Sequence, residues 1–190
     1  QMCIRDSDLI NQEQLEEIYQ AYPSSTLTQI RNKNILGIII YQGLSTKELK
    51  QLTSGHIDLK SGKITVPITS RSNSRNLSLE AHQILALYDY INKTRSELLS
   101  LTRKTSSRLF ISMGSSTSLN NSLTKLNKQL KKQHDYYQNL EQLRQSRISI
   151  WVKQQGLRKA QYLAGHKYVS STERYQKIDL EELQLSLIHI

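Results

Sequence analysis

Cysteine is almost absent from this chain of 190 residues: Cys3 stands alone. That excludes a disulfide framework and a cysteine-based metal cluster, and makes a reducing cytoplasm the simplest compartment. Long apolar runs are missing too. No stretch of 18 apolar residues occurs, and the longest, around Ile35–Tyr41, is far too short to span a bilayer. No helical stretch gathers Lys and Arg on one face with aromatics opposite, which argues against a membrane-surface role. There is no internal repeat and no long linker. Acidic residues are few: 16 Asp and Glu against 26 Lys and Arg give a net charge of +10 and a pI near 9.7. Such an excess favours a polyanion partner, nucleic acid before membrane surface. The basic residues run through the whole chain, as on a folded DNA-binding face. The length suffices for one domain with a real core.

Periodicity sketches a mainly α (α+β) domain. Asn11 caps a helix to about Tyr22 with Leu15, Ile18 and Tyr19 on one face, and Pro23-Ser24 breaks it. A second helix spans about Thr26–Gln42. Its apolar second half, ILGIIIY, marks it as the buried central helix, and Gly43 ends it. Ser45-Thr46-Lys47-Glu48 reads as a capping box opening a short helix to Leu52. From Ile57 the period becomes two. Ile57–Leu59, Lys63–Ile68 and Arg75–Leu79 form a small three-stranded antiparallel sheet, with Thr69–Ser74 as a polar hairpin tip. A long helix follows from Glu80 to about Leu101, with Ile84, Leu87, Tyr88 and Ile91 along its apolar stripe. The run Leu109–Ser112 suits a strand. Helices are expected at Leu119–Gln133 (stripe Leu123, Leu126, Leu130), at Leu140–Gln155, and briefly at Asp179–Gln184.

The most informative stretch is Leu157–Gln176, two helical pieces with a Gly165-His166 bend between them and Tyr175 nine residues after His166. Leu163-Ala164-Gly165-His166 followed by Thr172-Glu173-Arg174-Tyr175 resembles the active-site region of the tyrosine recombinases, the phage-integrase family, which carries Leu-Gly-His and then Thr-x-x-Tyr. Ala164 is one residue extra. Upstream, Glu141-Gln142-Leu143-Arg144 stands where that family has His-x-Leu-Arg. Gly43-Leu44-Ser45-Thr46-Lys47-Glu48-Leu49 stands where it has Gly-Leu-Arg-x-x-Glu-Leu. The resemblance runs from about Leu9 to Leu183. Gln1–Ser7 and Leu185–Ile190 resemble translated sequencing-adapter ends, so the expected catalytic domain is 8–184. The family's N-terminal DNA-clamping domain is not in this sequence.

The resemblance implies site-specific recombination or integration of double-stranded DNA by a homo-multimer, for a bacterial or phage-derived mobile element. Cleavage and rejoining go through a 3′-phosphotyrosyl link, with no metal and no other cofactor. Tyr175 is then the nucleophile, Arg144 the phosphate clamp and His166 the donor to a non-bridging oxygen. Arg71, Arg75, Arg147 and Lys167 are candidate DNA contacts. Ile178, Leu180 and Leu183 are available to pack on a neighbouring subunit. The residue types suit the chemistry. Charge builds on two non-bridging oxygens, which fixed guanidiniums neutralise, while a phenol with a pKa near 10 needs help to lose its proton. Three positions depart from the pattern. Ser45 replaces the family's first arginine, and losing such a donor costs about 3–4 kcal/mol. Glu141 replaces the second-motif His. The hairpin tip offers Thr69 and Ser70 where the family has its lysine, with Arg71 the nearest cation. Either Arg75 or Arg147 stands in for the missing arginine, or the chain is an impaired relative that only binds DNA.

Overall fold

Local sequence sets most of the helix ends. The computed structural model describes residues 8–114 and 118–176. Helix α1 (Gln12–Ala21) opens at Asn11, whose side chain accepts from Gln14 N at 2.8 Å while the Gln14 side chain accepts from Asn11 N. Helix α2 (Leu27–Gln42) opens on the same kind of box at Thr26 and closes at Gly43, which is left-handed (φ 59°). A Cβ at Gly43 would also stand 2.8 Å from the Trp151 ring, so conformation and space both require glycine there. Helix α3 (Thr46–Gln51) starts at the Ser45 cap. The sheet is antiparallel in the order β1 (Ile57–Asp58), β2 (Lys63–Val66), β3 (Arg75–Ser78), with Ile64 opposite Leu77 and Val66 opposite Arg75. Ile64, Val66, Leu77 and Arg75 point inward, alternating with exposed neighbours. One of those inward positions is thus an arginine, which must find partners.

After the sheet, α4 (Ala81–Asp89), a π-helical turn (Tyr90–Thr94) and α5 (Arg95–Thr102) make one continuous helical run. Its buried face runs through both α-helical parts and the π turn between them. Gln83, Leu87, Tyr90, Thr94 and Leu98 are buried, whereas Tyr88, expected in the stripe, is 55 % exposed. The strand expected at Leu109–Ser112 does not form. That run is buried, but its carbonyls are taken by side chains: Tyr90 Oη donates to Leu109 O at 3.0 Å and Arg31 Nη1 to Ile111 O at 2.8 Å. Helices α6 (Asn120–Gln133), α7 (Leu140–Gln155) and α8 (Leu157–Ala164) follow, and a further helical turn runs from Ser170 to Gln176. The expected helix at Asp179–Gln184, Ile178, Leu180 and Leu183, and both chain ends lie outside the described residues.

The core centres on α2, whose Ile35, Leu36, Ile38, Ile39 and Ile40 are all fully buried. Helix α7 packs on α2 and α1, and α8 packs on α7 and β3. A second, smaller cluster of Ile148, Trp151, Val152, Ala160 and Ala164 encloses Tyr175. The consequence for the site is that the α2–α3 turn, β3, α7 and the end of α8 meet at one place.

Candidate active site

Glu48 is the hub of that meeting point. Its Oε2 accepts from both the backbone N–H and the hydroxyl of Ser45, each at 2.8 Å, so the serine at the family's arginine position is spent on the helix cap. Oε1 accepts from Arg75 Nη1 at 2.6 Å, and Oε2 lies 3.3 Å from Arg144 Nη1. Two arginines from β3 and α7 therefore share one carboxylate, buried to about one per cent exposure. Burial pushes the Glu48 pKa up, but the Arg75 hydrogen bond, the charges of Arg75 and Arg144 and the Ser45 cap outweigh it, and the result is about 2. Arg144 is further tied down by Gly43 O and, at 2.9 Å, by Ala164 O. Arg75 Nε donates to Leu163 O at 2.7 Å. The loop before α3 and the end of α8 are thus clamped onto the same two guanidiniums.

The Gly165-His166 bend closes over this cluster. Gly165 is left-handed (φ 70°) and packs against the Arg75 guanidinium, so that a Cβ there would stand 2.7 Å from Arg75 Cζ. The hairpin tip holds the bend from the other side. Asn73 N donates to Gly165 O at 2.9 Å and Ser72 bridges to His166. His166 Nδ1 lies 2.8 Å from Oγ1 of the fully buried Thr172. Burial, then Arg144, Arg174 and Arg75, hold the imidazole pKa down at about 4, so it is neutral at pH 7. The direction of that bond follows the imidazole tautomer: in the one where the Thr172 hydroxyl donates to Nδ1, the ring proton sits on Nε2, where it can be given to an oxygen. Tyr175 lies one turn after Thr172 and is 4 % exposed. Burial first and Glu141 last raise its phenol to about 12, and Arg144 and Arg174 act against both. Arg144 is therefore within electrostatic reach of Tyr175, His166 and Arg75.

Glu141 stands one helical turn before Arg144, 3.9 Å from its Nε, with 54 % of its side chain exposed. Surrounding protein raises its pKa, Arg144 lowers it and Glu48 raises it further. It borders an open concavity of about 670 Å³ whose other walls include Thr46, Lys50, Asn120, Asn127 and Gln145. Arg71 at the hairpin tip and Lys167 beside the bend are exposed. Arg147 is not brought into the cluster: its Nε donates to Ile40 O at 2.6 Å and its guanidinium sits 6.0 Å from the Tyr41 ring centroid. Among the described residues, no group of three or more His, Cys, Asp or Glu side chains is placed to hold a metal ion, and no helix is long and apolar enough to cross a membrane. The sequence reading passed over two residues of the site. In the sequence, Glu48 reads as half of a capping box and as the Glu of the first motif, and Thr172 as part of the Thr-x-x-Tyr spacing, neither with a role in the site. Both lie within the stretches that carried the resemblance.

Solved structures share this architecture. The site-specific recombinase XerH bound to its difH substrate before cleavage matches with a TM-score of 0.74 and 21 % identity, over 93 % of this chain and 52 % of that one. The Tn1549 transposon integrase in complex with transposon right end DNA matches with a TM-score of 0.69 and 14 % identity, over 95 % and 66 %. A lambda integrase dimer bound to a COC′ core site matches at 0.56 and 15 %, over 90 % and 48 %. The chain thus spans about half the length of the XerH chain it matches. No curated protein matches it. The sequence model of the phage integrase family matches residues 8–182, nearly the whole chain, and on that ground the chain belongs to the phage integrase family.

Proposed function

We propose that this domain cuts and rejoins double-stranded DNA at a specific site, as the catalytic part of a mobile-element recombinase working as a multimer on DNA. The observation that carries this reading is that Arg144, held by the buried Glu48 carboxylate and by Ala164 O, lies within electrostatic reach of both Tyr175 and His166, which a separate stretch of the chain supplies. In the step proposed, Tyr175 Oη attacks a backbone phosphorus. A phosphorus–Oη bond forms and the bond to the 5′ oxygen breaks; the phenol proton passes to water, and the leaving 5′ oxygen takes a proton from water. Arg144 neutralises charge on a non-bridging oxygen, and His166 Nε2–H, set by Thr172, donates to it. The phosphodiester energy is kept in the phosphotyrosyl link, so rejoining needs only a 5′-hydroxyl from another strand. XerH, Tn1549 integrase and lambda integrase, all seen bound to DNA, support the choice of partner.

A second reading, a relative that binds DNA without cutting it, is favoured by one observation: Ser45 offers the phosphate nothing, because both its donors are spent on Glu48. Trapping separates the two. Nicked duplexes let the freed 5′ strand diffuse away, so a cutting enzyme accumulates as a covalent adduct that survives denaturing gels. The expected result is an adduct that Tyr175→Phe abolishes. DNA retained without any adduct would leave the second reading standing and remove the first.

A further inference from the structure

We propose that Arg75 supplies the guanidinium that Ser45 withholds, with its Nη2 as the donor to the second non-bridging oxygen of the scissile phosphate. The proposal rests on the strand-cleavage reading above. Three observations carry it. Arg75 occupies an inward position of β3, paired in register with Val66, where an apolar residue would otherwise sit. An arginine there is costly to keep unless it has a task. Two of its nitrogens are satisfied, Nη1 by Glu48 and Nε by Leu163 O, but Nη2 is buried and has no hydrogen-bond partner. An unmet charged donor is among the least tolerated features of a protein interior, and a bound anion is what removes the penalty.

Placement is the third. Arg75 and Arg144 are both bonded to Glu48, and the Gly165-His166 bend lies against the Arg75 guanidinium. Two guanidiniums held on one carboxylate beside a neutral imidazole make a fixed set of donors for a phosphate with two charged oxygens. Glu48 keeps the pair from repelling each other while DNA is absent. Arg147, the other arginine in reach by sequence, is engaged with Ile40 O and the Tyr41 ring. Because Nη2 is covered, a phosphate reaches it only if the bend yields slightly. Gly165 is the residue at which it can.

The test uses the whole chain and a pool of nicked duplexes with a randomised core. Covalent adducts are recovered under denaturing conditions, and a captured duplex is remade with an uncharged methylphosphonate at the cleaved position. On ordinary phosphate, Arg75→Lys and Arg75→Ala should lose about a hundred- to a thousand-fold in the rate of adduct formation. On methylphosphonate they should come within about tenfold of the unaltered chain, because no oxygen charge is left for the second guanidinium to neutralise. The ratio of the two rates is taken within each variant, so a smaller folded fraction cancels. Arg75→Lys also leaves a cation beside Glu48. Near-normal cleavage of phosphate DNA by Arg75→Lys overturns the proposal. So does a loss that is equally large on both DNAs, which would make Arg75 a structural partner of Glu48 only. If the unaltered chain captures nothing from the pool, the strand-cleavage reading itself fails and takes this role with it.

Discussion

At the scale of single residues, the candidate site is organised by one buried carboxylate. Glu48 satisfies the α3 cap and two buried guanidiniums at once, and its low pKa records how strongly they favour its charged form. Linkage fixes the pH behaviour. Glu48 ionises near 2 in the folded chain against an ordinary 4.5, so it contributes stability above about 4.5 and loses it as pH falls through 2. His166 is a base whose folded pKa lies near 4 against 6.5. The unfolded chain binds its proton first, and His166 erodes stability as pH falls from 6.5 to 4. Urea unfolding followed from pH 7 downward should therefore show a decline that begins below 6.5 and continues past 4. His166→Gln should flatten the upper part alone. A flat profile between 6.5 and 4 in the unaltered chain would contradict the burial assigned to His166.

At the scale of elements, the two bends matter more than the helices they join. Gly43 and Gly165 are both left-handed, and each lies against a side chain that a Cβ would strike, Trp151 in one case and Arg75 in the other. Gly165 does more than end α8, because its carbonyl accepts from Asn73 and so ties the hairpin tip to the bend. Gly165→Ala should cost roughly 1–2 kcal/mol for the left-handed backbone alone. Displacing Arg75 from beneath the bend adds to that. In urea the midpoint should drop with the slope unchanged, since the exposed surface on unfolding stays the same. A midpoint within error of the unaltered chain would mean that the bend does not press on Arg75.

The molecule as a whole is strongly basic, and part of that charge is exposed beside the candidate site. Its net charge is +10, and Arg71 and Lys167 stand exposed beside the bend, with Lys50 on the wall of the neighbouring concavity. Affinity for duplex DNA should fall linearly with the logarithm of salt concentration, as counterions released from phosphates are regained. Arg71→Ala and Lys167→Ala should each make that slope shallower by about one. The measurement is binding by fluorescence anisotropy between 50 and 200 mM salt, a range over which several contacts predict a loss of about a thousandfold. An affinity that does not move with salt would remove DNA as the partner under either functional reading.

The cap at Asn11, the capping box at Ser45, glycine stops at Gly43 and Gly165, and period-two alternation in β2 and β3 were legible without a fold, because each depends on neighbours within four residues. Motif spacing likewise pointed to Tyr175, Arg144 and His166. What could not be read were outcomes set by distant partners. The Leu109–Ser112 run is apolar enough for a strand, but Tyr90 and Arg31 capture its carbonyls. Tyr88 fits a helical stripe, but the face α4 turns inward is the one carrying Gln83 and Leu87, which leaves Tyr88 outside. Arg75 and Arg147 are equally plausible stand-ins in one dimension. Only packing separates them, since β3 turns Arg75 onto Glu48 while α7 turns Arg147 toward α2. The sequence by itself determined the elements and the family, through local hydrogen bonding and motif order. The tertiary structure decided which arginine joins Arg144, because a buried charge goes where another element has placed its counter-charge.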